Sequence, residues 1–227
     1  MADGFSRMGI PLTETALCGF RAFYELLMEK NAVMNLTAIT GEEDVARLHF
    51  LDCVALLTVC DFSGKRVIDV GTGAGFPGVP LGIAAPEARV TLLDSQLKRV
   101  RFLEETVTKL GLSMDCICAR AEEAGELRES FDIAVSRAVS RMDVLCELCL
   151  PFVRPGGRFL AMKGPDCRDE ISQATRAIEL LGGDTPEIIP YTIPGTDVRH
   201  AVVVINKVKP TPEQYPRRFA KIQKNPL

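Results

Sequence analysis

No stretch of this 227-residue chain approaches the ~18 consecutive apolar residues of a bilayer-spanning helix, and that excludes such an anchor. Met1 to Ile10 lacks the apolar core of an export signal, so the expected compartment is the cytoplasm. Histidine is almost missing: His49 and His200 are the only two. A net charge of −3 excludes a global positive field, so any nucleic-acid binding must use a local patch. No internal repeat or low-complexity stretch occurs. The eight cysteines form an even set, but a chain of this size without an export signal is not a disulfide scaffold. Cys146 and Cys149 have zinc-like spacing but fall in an amphipathic helix, and Cys116 and Cys118 alternate on a strand. Neither pair has a second ligand pair, so the cysteines read as buried, reduced thiols and no metal is expected.

What is present is ordinary globular composition, 47% hydrophobic and 25% charged, enough for one large α/β domain and an accessory segment. Residues Val67 to Gly78 carry its strongest signal, an apolar strand running straight into a glycine-rich turn. A second apolar strand, Val90 to Asp94, ends in an acid about twenty residues on, placed to accept hydrogen bonds from a ribose. Two glycine patterns overlap. Gly73, Gly75 and Gly78 fit a dinucleotide fingerprint, whereas Gly71, Gly73 and Gly75 after Asp69 fit the tighter alternation of class I S-adenosylmethionine-dependent methyltransferases. Phe76-Pro77 occupies space that a diphosphate would want.

Around this run the pattern alternates. Apolar Leu17, Phe20, Tyr24 and Leu27 predict a helix over 12–31, and Thr40 with Glu43 predicts a capping box opening a helix to about Cys60. Strands are predicted at 66–70, 89–94, 114–118, 131–136 and 158–162, with helices at 78–85, 96–110, 142–153 and 168–182. Pro155-Gly-Gly157 reads as the turn into the fifth strand. This alternation implies a doubly wound parallel sheet. Residues 187–193 and 200–206 follow, joined too tightly to cross over and therefore antiparallel. The expected division is a helical segment 1–62, a sheet domain 63–207 and a basic tail 208–227.

Ligands of such sheets bind beyond the carboxyl ends of the strands. There the sequence places Gly71 to Gly75, Asp94, Ala121 and Glu122, Arg137 and Lys163, with Arg199 and His200 opening the last, antiparallel strand. Arg137, Lys163, Arg199 and His200 are thus expected to converge on one rim. Lys98, Arg99 and Arg101 oppose the dipole of their own helix, which favours phosphate contact. The tail mixes Arg217, Arg218, Lys221 and Lys224 with Tyr215 and Phe219, a surface suited to RNA if it is not simply solvated.

These motifs together resemble the small-subunit ribosomal RNA guanine-N7 methyltransferases, the glucose-inhibited division protein B family. The likeness rests on Asn35-Leu-Thr37, His49-Phe-Leu-Asp52, Val67 to Leu81, Leu92 to Ser95 with Lys98 to Leu103, and Ser136-Arg-Ala138. It continues through Gly157-Arg-Phe159, Lys163-Gly164, Arg199-His200, Tyr215-Pro-Arg217 and Lys224 to Leu227, in order along almost the whole chain. Lys30 stands where the family has tryptophan, Cys53 where it has serine, and Ala220-Lys221-Ile222 where it has Gly-x-Pro. The resemblance implies a Rossmann-like sheet with an antiparallel terminal strand. It implies methyl transfer from S-adenosylmethionine to guanine N7 of 16S rRNA, free or in the small ribosomal subunit; apart from the resemblance, a monomer with no membrane partner is expected. Gly71, Phe76, Ala121, Glu122 and Arg137 should then touch the cofactor and Asp94 its ribose. Arg137 and Lys163 are the expected catalytic pair, Lys163 orienting the guanine. Lys98, Arg99, Arg101, Arg199 and His200 should hold RNA. Guanine N7 carries an in-plane lone pair, so no base is required. The Asn/Asp-Pro-Pro-aromatic motif of amino-group enzymes and the Pro-Cys nucleophile of cytosine-C5 enzymes are both absent. An NAD(P)-dependent oxidoreductase and a non-catalytic nucleotide-sensing module are the alternatives.

Overall fold

A computed structural model describes every residue but 138, which leaves the Ala138 of the Ser-Arg-Ala motif outside the described residues. The helical segment opens with α1 (Ala2–Arg7) and α2 (Glu14–Met34). Thr13 caps α2 by accepting the Ala16 N–H at 3.1 Å, and Asn35 ends it in the left-handed conformation that asparagine tolerates. The buried face of α2 is Ala16, Phe20, Phe23 and Leu27, while Leu17 is 43% exposed. Phe20 and Leu27 of the predicted stripe thus face the core, while Ala16 and Phe23 take the places expected for Leu17 and Tyr24.

The capping box at Thr40 does not form. Gly41 is the N-cap of α3 (Glu42–Val45), and the Thr40 carbonyl instead accepts the Tyr24 hydroxyl at 3.1 Å. Beyond α3 the helix widens into a π turn (Ala46–Leu51), returns as α4 (Asp52–Val54) and ends in a 3-10 turn (Ala55–Thr58). Such π insertions re-aim side chains and are frequent at functional sites.

The sheet comprises β1 (Arg66–Val70), β2 (Arg89–Asp94), β3 (Asp115–Cys118), β4 (Phe131–Arg137), β5 (Val153–Lys163), β6 (Glu187–Thr192) and β7 (Arg199–Asn206). Helices α5 (Gly78–Ala84), α6 (Leu97–Leu110), α7 (Met142–Cys149) and α8 (Arg168–Leu180) make the crossovers. Strand order is β3-β2-β1-β4-β5-β7-β6, with β7 antiparallel to both neighbours. The expected hairpin exists, but its second strand inserts between β5 and β6, so β6 forms the edge. Pro155-Gly-Gly157 is not a turn before β5 but its bulged start: Phe131 pairs with Val153 and Ile133 with Arg158, with Gly156 at φ +86°.

Strand residues alternate between two cores. Val67, Val90, Ile133, Leu160 and Val202 face α2, α5 and α6, whereas Ile68, Leu93, Ala134, Ala161 and Val203 face α7 and α8. The first core is continuous with Phe20, Phe23 and Phe50 of the helical segment. All eight cysteines are free thiols; Cys53, Cys146, Cys149 and Cys167 are buried as expected, but Cys18 and Cys118 are exposed and Cys60 and Cys116 half-buried.

The chain after Asn206 packs back onto the sheet domain. The Arg128 guanidinium donates to the carbonyls of Tyr215 (2.6 Å), Pro212 (3.2 Å) and Thr211. Arg217 forms a fork with the fully buried Glu147 of α7, at 2.6 to 3.2 Å. Ile222 of α9 (Phe219–Lys224) is fully buried in the second core, beside α7. Arg217 is thus spent on anchoring this strap, not left for RNA.

Candidate cofactor cleft and its polar hub

A cavity of about 480 Å³ opens at the carboxyl ends of β1, β2 and β4, where the sequence places the glycine turn and the acid of β2. Gly71, Gly73, Phe76, Asp94, Ala121, Glu122 and Arg137 all line it. Gly71, Gly73 and Gly75 have φ of +73°, +61° and +98°, a region closed to most side chains. Their uses differ. A Cβ on Gly73 would meet only open space, its nearest neighbour lying at 3.9 Å, so Gly73 leaves room for a ligand. A Cβ on Gly75 would strike Val79 at 2.7 Å, so Gly75 packs α5 rather than lining the cavity.

Two carboxylates hold this turn. Asp94 is buried and accepts the Gly73 N–H at 3.0 Å through one oxygen and the Gln96 N–H at 2.8 Å through the other. Arg99 lies 3.5 Å from the first oxygen. Each oxygen keeps a lone pair, so a ribose diol can still be received. Asp69 accepts the Gly78 N–H at 2.7 Å, and burial pushes its carboxyl up to about 7. The open cradle at Gly73, the acid at the end of β2 and the aromatic and acidic groups around them fit a nucleoside-bearing cofactor.

At the other end of the cleft stands a hub the sequence did not disclose. Asp52, 2% exposed, accepts Arg137 Nη1 at 3.1 Å on one oxygen, and both Tyr191 OH and His200 Nδ1 at 2.7 Å on the other. Burial opposes ionisation of Asp52, but the His200 hydrogen bond, the Arg137 charge and the Tyr191 hydroxyl outweigh it and lower its pKa. The same hydrogen bond raises the pKa of His200. Arg137 also lies 4.8 Å over the Phe76 ring and contacts His49 Nδ1 at 3.2 Å. His49 Nδ1 is also 3.1 Å from the Leu48 carbonyl, and Nε2 is 2.8 Å from Thr37 Oγ1, so both ring nitrogens are held by neighbours. Burial and then the Arg137 charge lower His49 to about 4, leaving a neutral imidazole at pH 7.

The expected four-cation rim is not formed. Side chains alternate along strands, and parity sends Arg137 with Ile133 and Val135, and His200 with Val202, to the α2 face. Lys163 and Arg199 take the other parity. The Lys163 ammonium donates to Glu170 at 2.6 Å and to the Ser140 carbonyl at 2.7 Å, bracing the loop after β4. Arg199, Lys98 and Arg101 are exposed and have no ion-pair partner among the described residues. Thr37, His49, Asp52 and Tyr191 were missed as functional groups. His49 and Asp52 sit three apart beside Phe50 and Leu51, a polar pair on a helix whose neighbours are core, and that was the available signal.

Comparison with known proteins agrees with this geometry. A family model described as rRNA small subunit methyltransferase G matches residues 17–192. The chain is 45% identical over 100% of its length to a ribosomal RNA small subunit methyltransferase G of Clostridium perfringens, covering 97% of that protein. It is 47% identical over 99% of its length to the one of Pelotomaculum thermopropionicum, covering 96% of it. Among solved structures, a precorrin-6y C5,15-methyltransferase of Geobacter metallireducens superposes on 77% of this chain and 92% of its own, with TM-score 0.54 at 14% identity, a likeness of fold. The glycine cradle, its acid and the near full-length likeness lead to one conclusion: the chain belongs to the rRNA small subunit methyltransferase G family, also called the glucose-inhibited division protein B family.

Proposed function

We propose that this protein transfers a methyl group from S-adenosylmethionine to N7 of a guanine in 16S rRNA. The carrying observation is a single cleft joining a nucleoside cradle, Gly73 and Asp94, to a cationic end, Arg137. S-adenosylmethionine supplies an electrophilic methyl on a sulfonium centre. The chain's own residues bind and align. Asp94 receives the ribose while bracing the turn, and Ala121 and Glu122 flank the purine. Gly71 supplies the positive φ of the turn and clears Val139, which a Cβ would meet at 2.8 Å. Arg137, stiffened by Asp52 and Phe76, offers a fixed positive charge to the carboxylate of the amino-acid portion. Its charge is offset by Asp52, so the purine can become cationic beside it without facing a bare cation.

Guanine N7 needs no proton removed, so neutral His49 is suited to packing and hydrogen bonding rather than to acid–base work. Holding the reacting atoms ~3–3.5 Å apart is then the main contribution of the site. Lys163 acts from the opposite face by holding Ser140 and the loop beside the cleft. Lys98, Arg101 and Arg199, exposed and unpaired, serve as phosphate contacts, with Arg99 and His200 nearer the cleft. A monomer acting on rRNA, free or within the small subunit, completes the reading. The test incubates the protein with labelled S-adenosylmethionine and small-subunit RNA or particles, and maps N7-methylguanine by chain cleavage. A stoichiometric single site supports the reading; label on another atom, or none on either substrate, overturns it.

A further inference from the structure

The strap after Asn206 reaches the cleft. Its anchors lie away from it: Arg217 on buried Glu147, Arg128 on three strap carbonyls, and Lys207, whose buried ammonium donates to the Leu150 carbonyl at 2.7 Å and to Thr211. Beyond these anchors the strap turns into α9, which buries Ile222 and sets Phe219 on the cavity wall. The Phe219 ring has the Arg120 guanidinium 5.7 Å from its centroid. Arg120 lies 3.5 Å from Glu122, whose side chain is 7% exposed. Phe219 therefore belongs to the β3 side of the cleft, beside the Ala121-Glu122 turn, and is only half-buried although it packs on the second core. Arg120 lines the same cavity, and a half-buried aromatic on a cavity wall beside a cation is a surface for a flat, electron-rich ring.

We infer that Phe219 is a cofactor-contacting residue, delivered by the C-terminal strap as an aromatic wall against the purine of the cofactor. This rests on the proposed use of S-adenosylmethionine. The charges of the strap, read in the sequence as RNA contacts, then act in part as its fastening: removing Arg217 should loosen a ligand it does not touch.

Calorimetric titration with S-adenosylhomocysteine and with adenosine tests this on the full-length protein. Phe219→Ala should weaken both ligands by the same factor, roughly tenfold, because only the purine end is affected. Phe219→Tyr should restore binding, and Phe219→Leu should recover only the apolar part. Arg217→Ala should weaken both ligands in the same ratio. Melting without ligand reports whether each variant is folded. A folded Phe219→Ala or Phe219→Leu protein that binds both ligands like the wild type overturns the inference. So does a variant that loses S-adenosylhomocysteine but keeps adenosine. A wild-type protein that binds neither ligand fails the proposed function instead, a separate outcome.

Discussion

Replacing Asp52 by Ala should be the most damaging single change near the cleft, with a pH signature of its own. The substitution removes the acceptor of three donors and leaves the Arg137 guanidinium, its side chain 16% exposed, without its counter-ion. Removing one partner of a buried pair costs ~3–5 kcal/mol. For a chain of this size each kcal/mol is worth about 2–4 °C, so the melting temperature should fall by about 6–20 °C. The pH dependence follows from two shifts of opposite kind. Asp52 is lowered in the folded state, so its contribution is present above the unfolded value of about 3.9 and is lost as pH falls. His200 is raised, so its contribution is present below the unfolded value of about 6.5 and is lost as pH rises through its folded value. The gap between wild type and variant should therefore be widest between about pH 4 and 6.5 and narrow on either side. Scanning calorimetry from about pH 3 to 9 measures it. A gap under about 2 °C, or one flat with pH, would refute the assignment of Asp52 as the electrostatic hub.

Five further outcomes are expected. Gly78→Ala puts a Cβ 2.2 Å from Leu92 and 2.8 Å from Asp69, so it should cost ~1–3 kcal/mol of stability by denaturant titration; Gly73→Ala should instead weaken S-adenosylhomocysteine in calorimetry, its Cβ entering open cleft. Asp94→Ala should lower cofactor affinity by roughly ten- to a hundredfold, and, since Asp94 also braces Gly73 and Gln96, it should lower the melting temperature as well. Native thiol titration should label Cys18 and Cys118 quickly and leave Cys146 and Cys149 unreacted, because burial pushes those two thiols far up. Removing Lys98, Arg101 or Arg199 should each reduce the salt slope of RNA binding by roughly 0.7 without changing cofactor affinity; unchanged slopes would place the RNA footprint elsewhere.

The parts of the cleft legible in the sequence were local. Glycines after an apolar strand and an acid closing the next strand are consequences of backbone conformation, and they stand together at Gly71, Gly73 and Asp94. The misreadings were of direction. Lys163 and Arg137 both end strands, but they have opposite parity, and counting parity from Leu160 and Val135 would have separated them. Asp52 was hidden for another reason. Its partners Arg137, Tyr191 and His200 come from 85 to 148 residues away, a closeness that only the assembled sheet creates. The π turn that carries His49 has no local spelling, and Phe219 lay in a segment whose charges suggested solvent. Its anchor, Glu147, was disguised as one more residue of an amphipathic helix.

The insertion of β7 between β5 and β6 also bears on how the molecule is made. A chain emerging amino end first can pair β1 through β5 as each crossover is completed, but β6 then has no neighbour to join. Its only partner is a strand that follows it. Until residues 199–206 are available, β5 keeps an open apolar edge with Phe159, Leu160, Ala161 and Met162 awaiting Ile205, Val204, Val203 and Val202. Such an edge is a template for another chain. Closing it docks β7, paired on its other side with β6, onto β5. That same step brings His200 to Asp52, so the nascent chain completes its sheet and its polar hub together.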